Sequence, residues 1–66
     1  MHVQVTYGKQ KKKLALRYGA IVLDVIQIMK INPEMVLVKR GGEIIPDTEE
    51  LGDNDKIEII QVVSGG

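Results

Sequence analysis

One group in this chain is chemically distinctive, and it sits at the very end. Val62-Val63-Ser64-Gly65-Gly66 finishes on a free carboxylate. A terminal carboxyl group has an unperturbed pKa of about 3.3–3.7, so it is ionised at neutral pH. It can then attack the α-phosphate of an ATP held by another protein, giving an acyl-adenylate. That mixed anhydride is open to a sulfur or an amine nucleophile. Two glycines suit such a role because, without a Cβ, their backbone can approach another backbone or a nucleotide closely. If another protein works on this carboxylate, Gly66 bears it, and Gly65 and Ser64 form the slender approach that gives clearance. Residues 64–66 are expected to form a flexible tail on a domain spanning 1–63. Glycine usage of about 7% makes a Gly-Gly ending a roughly one-in-two-hundred event, so the tail alone is a modest signal and the body must support it.

Other chemistry is sparse. There is no cysteine, hence no disulfide and no thiolate metal site. The single histidine, His2, has no second histidine or cysteine to complete a metal site, and it is a poor base for Ser64. The carboxylates between Asp47 and Asp55 cluster in a polar stretch, where solvation explains them better than paired acid–base work. Gly41-Gly42 carries neither a P-loop nor a dinucleotide fingerprint and reads as a turn. No catalytic residue, metal ligand or bound cofactor is expected, and the chain is not expected to be an enzyme by itself.

Sixty-six residues form one domain at most. With no Phe or Trp and only Tyr7 and Tyr18 as aromatics, the core must be aliphatic. The opening "MHVQVTYGK" alternates apolar and polar residues and is not a signal peptide; no apolar run reaches a membrane span of about 18 residues. A cytoplasmic, monomeric protein is expected. The net charge is zero but unevenly spread. Residues 1–33 carry Lys9, Lys11, Lys12, Lys13, Arg17 and Lys30 against Asp24. Residues 34–66 carry three basic residues against eight acids. The halves therefore make a charge dipole or a charged docking face, or the lysines simply solvate a turn.

The elements that would carry the tail follow from periodicity. "HVQVTY" alternates, with Val3 and Val5 on one side, and reads as a half-buried strand. "GKQKK" reads as a hairpin loop, and "KLALRY" as the returning strand with Leu14, Leu16 and Tyr18 inward. In Ala20–Ile31, Asp24, Gln27 and Lys30 are three apart, which gathers them into one stripe only on a helix. Val22, Val25, Ile26 and Met29 then form the buried face, and Asn32-Pro33 ends the helix. "EMVLVKR" is a third strand with Val36 and Val38 inward, and Gly41-Gly42 turns into a short fourth strand, "EII", stopped by Pro46. An acidic turn region with room for one short helical turn leads to "KIEIIQVV", the last strand, with Ile57 and Ile59 inward. The order β-β-α-β-(β)-β, with one helix covering one face of a mixed sheet of four to five strands, predicts an α+β fold of β-grasp type. A ferredoxin-like sheet would need a second full helix, which 46–55 is too short and too polar to supply.

With this layout the whole chain resembles the ubiquitin-like sulfur carriers, of the kind that serve thiamine synthesis (ThiS) and molybdopterin synthesis (MoaD). It is also similar to the archaeal small modifier proteins. "INPEMVLVKRGGEIIP" (31–46) matches that family's helix exit, third strand and short fourth strand. "LGDNDKIEIIQVVSGG" (51–66) matches its aspartate-containing turn, last strand and diglycine. The resemblance implies that an E1-like enzyme uses ATP to adenylate Gly66, and that a sulfur donor converts it to a thiocarboxylate for a sulfur-accepting synthase or tRNA thiolation. The chain departs from the thiamine carriers at Lys39-Arg40-Gly41-Gly42, where an asparagine is common. It departs from the molybdopterin subunits in having Ile59-Ile60 where aromatics are usual.

Alternation also yields a docking surface. If strands three and five are neighbours, Ile60 and Val62 face solvent beside Leu37 and Lys39, an apolar patch with a basic neighbour next to the tail. Single exposed aliphatics need no such explanation. Two further functions stay open. The chain can be a protein modifier, joined through Gly66 to target lysines. It can also be a non-covalent module that uses its basic hairpin, although nucleic acid is disfavoured by the lack of aromatic stacking platforms.

Overall fold

The alternating segments pair as their patterns require. In the computed structural model, which describes residues 1–62, β1 (His2–Tyr7) and β2 (Gln10–Ala15) form an antiparallel hairpin that sets Val3 opposite Leu14 and Tyr7 opposite Gln10. The turn is only Gly8-Lys9, with Gly8 at φ 62°, a positive first angle of the kind two-residue hairpins use. The loop expected over "GKQKK" is therefore two residues long. Gln10, Lys11 and Lys12 belong to the strand, which ends at Ala15. Tyr18, expected inward, is 78% exposed beyond the strand's end.

Helix α1 spans Val22–Ile28, shorter at both ends than the expected Ala20–Ile31. Its predicted inner face holds: Val22, Val25 and Ile26 are buried and Met29 packs against them. Pro33 does not end it. Lys30 turns left-handed at φ 58°, its N–H donates to Gln27 O at 3.0 Å, and the Ile31 N–H donates to Ile26 O at 3.1 Å. These two bonds make a Schellman cap, with Ile31 folded back on the core. At the other end the Asp24 carboxylate accepts from the Ile21 N–H at 2.9 Å. The next two orphan N–H groups, of Val22 and Leu23, reach Glu49 O at 3.0 Å and Asp47 O at 2.9 Å.

A 3₁₀ turn, η1 (Pro33–Met35), precedes β3 (Val36–Arg40). Gly41-Gly42, both at positive φ, returns the chain as β4 (Glu43–Ile45), and β5 (Lys56–Gln61) closes the order. The single helical turn lies at 33–35, not in the acidic stretch. The sheet runs β2-β1-β5-β3-β4, with β5 parallel to β1 and antiparallel to β3. Val3, Val5, Val36, Val38, Ile57 and Ile59 point from it toward α1, and with Leu16, Ala20, Leu51 and the helix face they make the aliphatic core. This is the mixed five-stranded β-grasp sheet on one helix.

Candidate functional site

The last strand sits in the middle of the sheet, so whatever follows it is carried on a strand paired along both sides. Val62 continues the pairing one step past β5: its N–H donates to Met35 O at 2.8 Å. Met35 closes the 3₁₀ turn, whose first N–H, that of Glu34, donates to Asn32 Oδ1 at 3.0 Å. The stem of the tail is thereby clamped against the entry to β3. Gly66, Gly65 and Ser64, the residues expected to carry the chemistry, lie outside the described residues.

The four expected docking residues are on one surface. In the β3–β5 register Leu37 stands opposite Ile60 and Lys39 opposite Glu58. Alternation turns all four away from the helix, and Val62 follows Ile60 on the same side. Leu37 is 41% exposed; Ile60, Val62 and Lys39 are half-buried. Ile44 belongs to this face as well. It pairs with Lys39 and is 59% exposed. Alternation within "EII" alone could not assign it a side. The two-residue turn at Gly41-Gly42, which fixes Arg40 opposite Glu43 and hence Lys39 opposite Ile44, could have.

Arg40, next along β3, points to the other side and organises the acidic segment. Its Nη2 donates to Glu49 Oε2 at 2.6 Å, and its Nη1 donates to Asp55 Oδ2 at 3.1 Å and to Glu50 O at 3.2 Å. Hydrogen bonding to Glu49, aided by the Asp55 charge, raises the Arg40 pKa further, so the guanidinium stays charged. Asp55 Oδ2 also accepts from Gly52 N at 2.8 Å. Asp53 Oδ1 accepts from His2 N at 2.8 Å, and this bond lowers the Asp53 pKa, assisted by the nearby amino terminus and His2. The acids between 47 and 55 are thus more than solvated residues. They tie the loop to the start of β1 and the end of β3, and the loop's carbonyls cap the helix.

Among the described residues no three His, Cys, Asp or Glu side chains converge as a metal site, and no helix is long and apolar enough to cross a membrane. What the described residues present instead is a clamped stem on a central strand, beside a mainly aliphatic sheet face.

Known proteins share this fold. A curated relative, the sulfur carrier protein TtuB of Thermus thermophilus, is 26% identical over 57 residues, covering 86% of this chain and 88% of its own. The crystal structure of SAMP1 from Haloferax volcanii superposes with a TM-score of 0.76 at 17% identity, covering the whole of both chains. A putative molybdopterin converting factor subunit 1 from Pyrococcus furiosus gives 0.76 at 22% identity, covering 94% of this chain and 98% of that one. These two structures establish the ubiquitin-like fold. The family itself is settled by the ThiS family model, which matches residues 2–66, diglycine included. This chain therefore belongs to the ThiS family of ubiquitin-like sulfur carriers.

Proposed function

We propose that the Gly66 carboxylate is the sulfur-carrying group. In a chain ending at Gly66, its oxygen attacks the α-phosphate of an ATP bound to an E1-like partner, expelling pyrophosphate and forming the acyl-adenylate. The outer sulfur of a donor protein's persulfide then attacks the carbonyl carbon and displaces AMP, forming an acyl disulfide. A thiol attacks the donor's sulfur of that acyl disulfide, forming a disulfide with the donor and releasing the thiocarboxylate. The thiocarboxylate passes its sulfur to an acceptor synthase. The carrier contributes no catalytic residue: ATP is the partner's, and no cofactor is bound. The use of ATP and the need to keep the sulfur reduced suit a cytoplasmic setting.

The observation that carries this reading is the family match, which runs through the diglycine itself. The geometry adds a reason. The partner must hold the body while the end of the chain reaches the nucleotide, and Leu37, Lys39, Ile60 and Val62 offer a surface that shares a strand with the stem. Gly65 and Ser64 would lie in the channel to the nucleotide, where larger side chains have no room.

Intact-mass analysis after co-expression with the activating enzyme tests this. Replacement of one oxygen by sulfur, localised to the C-terminal fragment and gaining one alkyl group on treatment with an alkylating agent, is the expected result. An unmodified terminus under sulfur-replete conditions overturns it. Localisation is essential because oxidation of Met1, Met29 or Met35 adds nearly the same mass. A second reading, conjugation through Gly66 to lysines, shares the adenylate. It is favoured instead if Gly-Gly remnants from this chain appear on target lysines.

A further inference from the structure

Away from the tail, the sheet has two free edges. β4 is three residues long, but β2 offers six. The hydrogen-bond phase of β2 is fixed at its end, where Met1 and Leu16 exchange both backbone bonds at 2.7 Å. An antiparallel ladder alternates, so Leu14 and Lys12 are bonded to β1, while Lys11, Lys13 and Ala15 turn their N–H and C=O groups to the open edge. Beside this edge, between β2 and α1, lies a groove of about 520 Å³. Its apolar floor is Leu16, Ala20 and Ile28, the last 53% exposed. Arg17, Asp24 and Gln27 border it, and the Asp24 carboxylate is already engaged as the acceptor for Ile21 N.

Charge selects the occupant. Lys9, Lys11, Lys12, Lys13 and Arg17 line the edge and its ends. Among the described residues the ion pairs are those of Arg40 with Glu49 and Asp55, so no carboxylate holds any of these five cations. Lysines on an edge strand discourage pairing with a neutral or basic strand. They favour an acidic one, since specificity is a difference between partners.

We propose that β2 and the β2–α1 groove form a docking site for an extended acidic segment of a partner protein, one that alternates aliphatic with acidic residues and adds as a sixth strand. Its backbone pairs with Lys11, Lys13 and Ala15. Its aliphatic side chains enter the groove over Leu16, Ala20 and Ile28. Its acids lie beside Lys11 and Lys13 on the other side of the sheet. The site lies on the opposite sheet edge from β3 and β4 and does not depend on the fate of Gly66.

The test is an amide-resonance titration of the full chain with a heptapeptide alternating valine with aspartate and glutamate. Polyglutamate and oligouridine of matched charge serve as competitors. Saturable shifts centred on Lys11, Lys13, Ala15 and Ile28 are expected. Lys11→Glu with Lys13→Glu should weaken binding at least tenfold. Ala15→Pro keeps every charge but removes one outward N–H, a substitution an edge position can accept, and should weaken binding severalfold. Circular dichroism confirms that each variant is folded. The proposal is overturned if no saturable shifts appear at millimolar peptide. It is overturned equally if polyglutamate or oligouridine binds as tightly, which would make the site a simple polyanion surface, or if folded Ala15→Pro binds unchanged.

Discussion

Leu37 and Ile60 face each other across the β3–β5 pair, on the side of the sheet turned away from the helix and one residue pair from Val36–Gln61, where the paired region ends. Leu37 is the more exposed of the two, so replacing it changes the surface without opening the core. Leu37→Glu is expected to alter stability by no more than about 0.5 kcal/mol. The same change should slow adenylation by the E1-like partner at least tenfold if the residue anchors docking. ATP–pyrophosphate exchange measured beside a thermal melt separates the two effects; normal exchange removes Leu37 from the docking surface.

Ile26 is fully buried and bonds, through its carbonyl, to the residue that caps its helix. Ile26→Ala should cost about 2–5 kcal/mol through lost contacts and the cavity left behind. In a domain this small that is a large share of the total stability, and the urea midpoint followed by circular dichroism should fall accordingly.

Lys30 holds a left-handed conformation that costs a side-chain-bearing residue about 1–2 kcal/mol. Glycine relieves this but adds freedom to the unfolded chain worth about 0.5–1 kcal/mol. Lys30→Gly should therefore stabilise by about 0.5 kcal/mol, seen as a higher urea midpoint with unchanged slope. A lower midpoint would mean that the Lys30 side chain contributes more than its backbone costs.

Arg40→Lys keeps the charge and loses the planar fork that reaches Glu49, Asp55 and a backbone carbonyl together. The partners are partly exposed, so the expected loss is about 1 kcal/mol, shrinking in high salt. Equal stability of the two proteins at low salt would show that the cluster adds nothing net.

Asp53 is expected to contribute to acid sensitivity. Its folded pKa lies below its unfolded one, so its contribution is complete above the unfolded value, near pH 4, and is lost as pH falls through the folded value. Asp53→Asn should flatten the part of the melting-temperature profile below pH 4 and leave its shape at neutral pH unchanged. An identical acid limb in both proteins would assign it to other carboxylates.

The strands and the helix's inner face were legible because burial imposes a period: Val3 and Val5, Val36 and Val38, Ile57 and Ile59 at two, and Asp24, Gln27 and Lys30 at three. The misreadings came where the deciding group was backbone. Lysines are uncommon in strands, so "GKQKK" read as a loop, yet a positive φ at Gly8 made the turn two residues long and carried Lys11 and Lys12 into β2. Lys30 stops the helix by a backbone angle that its side chain does not announce, whereas Pro33 was the visible breaker. The carbonyls of Asp47 and Glu49 cap the helix, and any residue type carries a carbonyl. Ile44 needed the register of a hairpin before its side could be known. The diglycine, by contrast, is a modest signal by residue type alone, and the role proposed for it rests on the family match that runs through it.

The parallel pairing of β1 with β5 has a consequence for biosynthesis. The first strand made waits for the last, and the sheet's centre stays open until that final strand emerges from the ribosome. A chain cut short anywhere before β5 can neither close its core nor present the stem at Val62. The strand that completes the core is also the one that carries the stem, so closure of the sheet and placement of Val62 against Met35 are reached in one step.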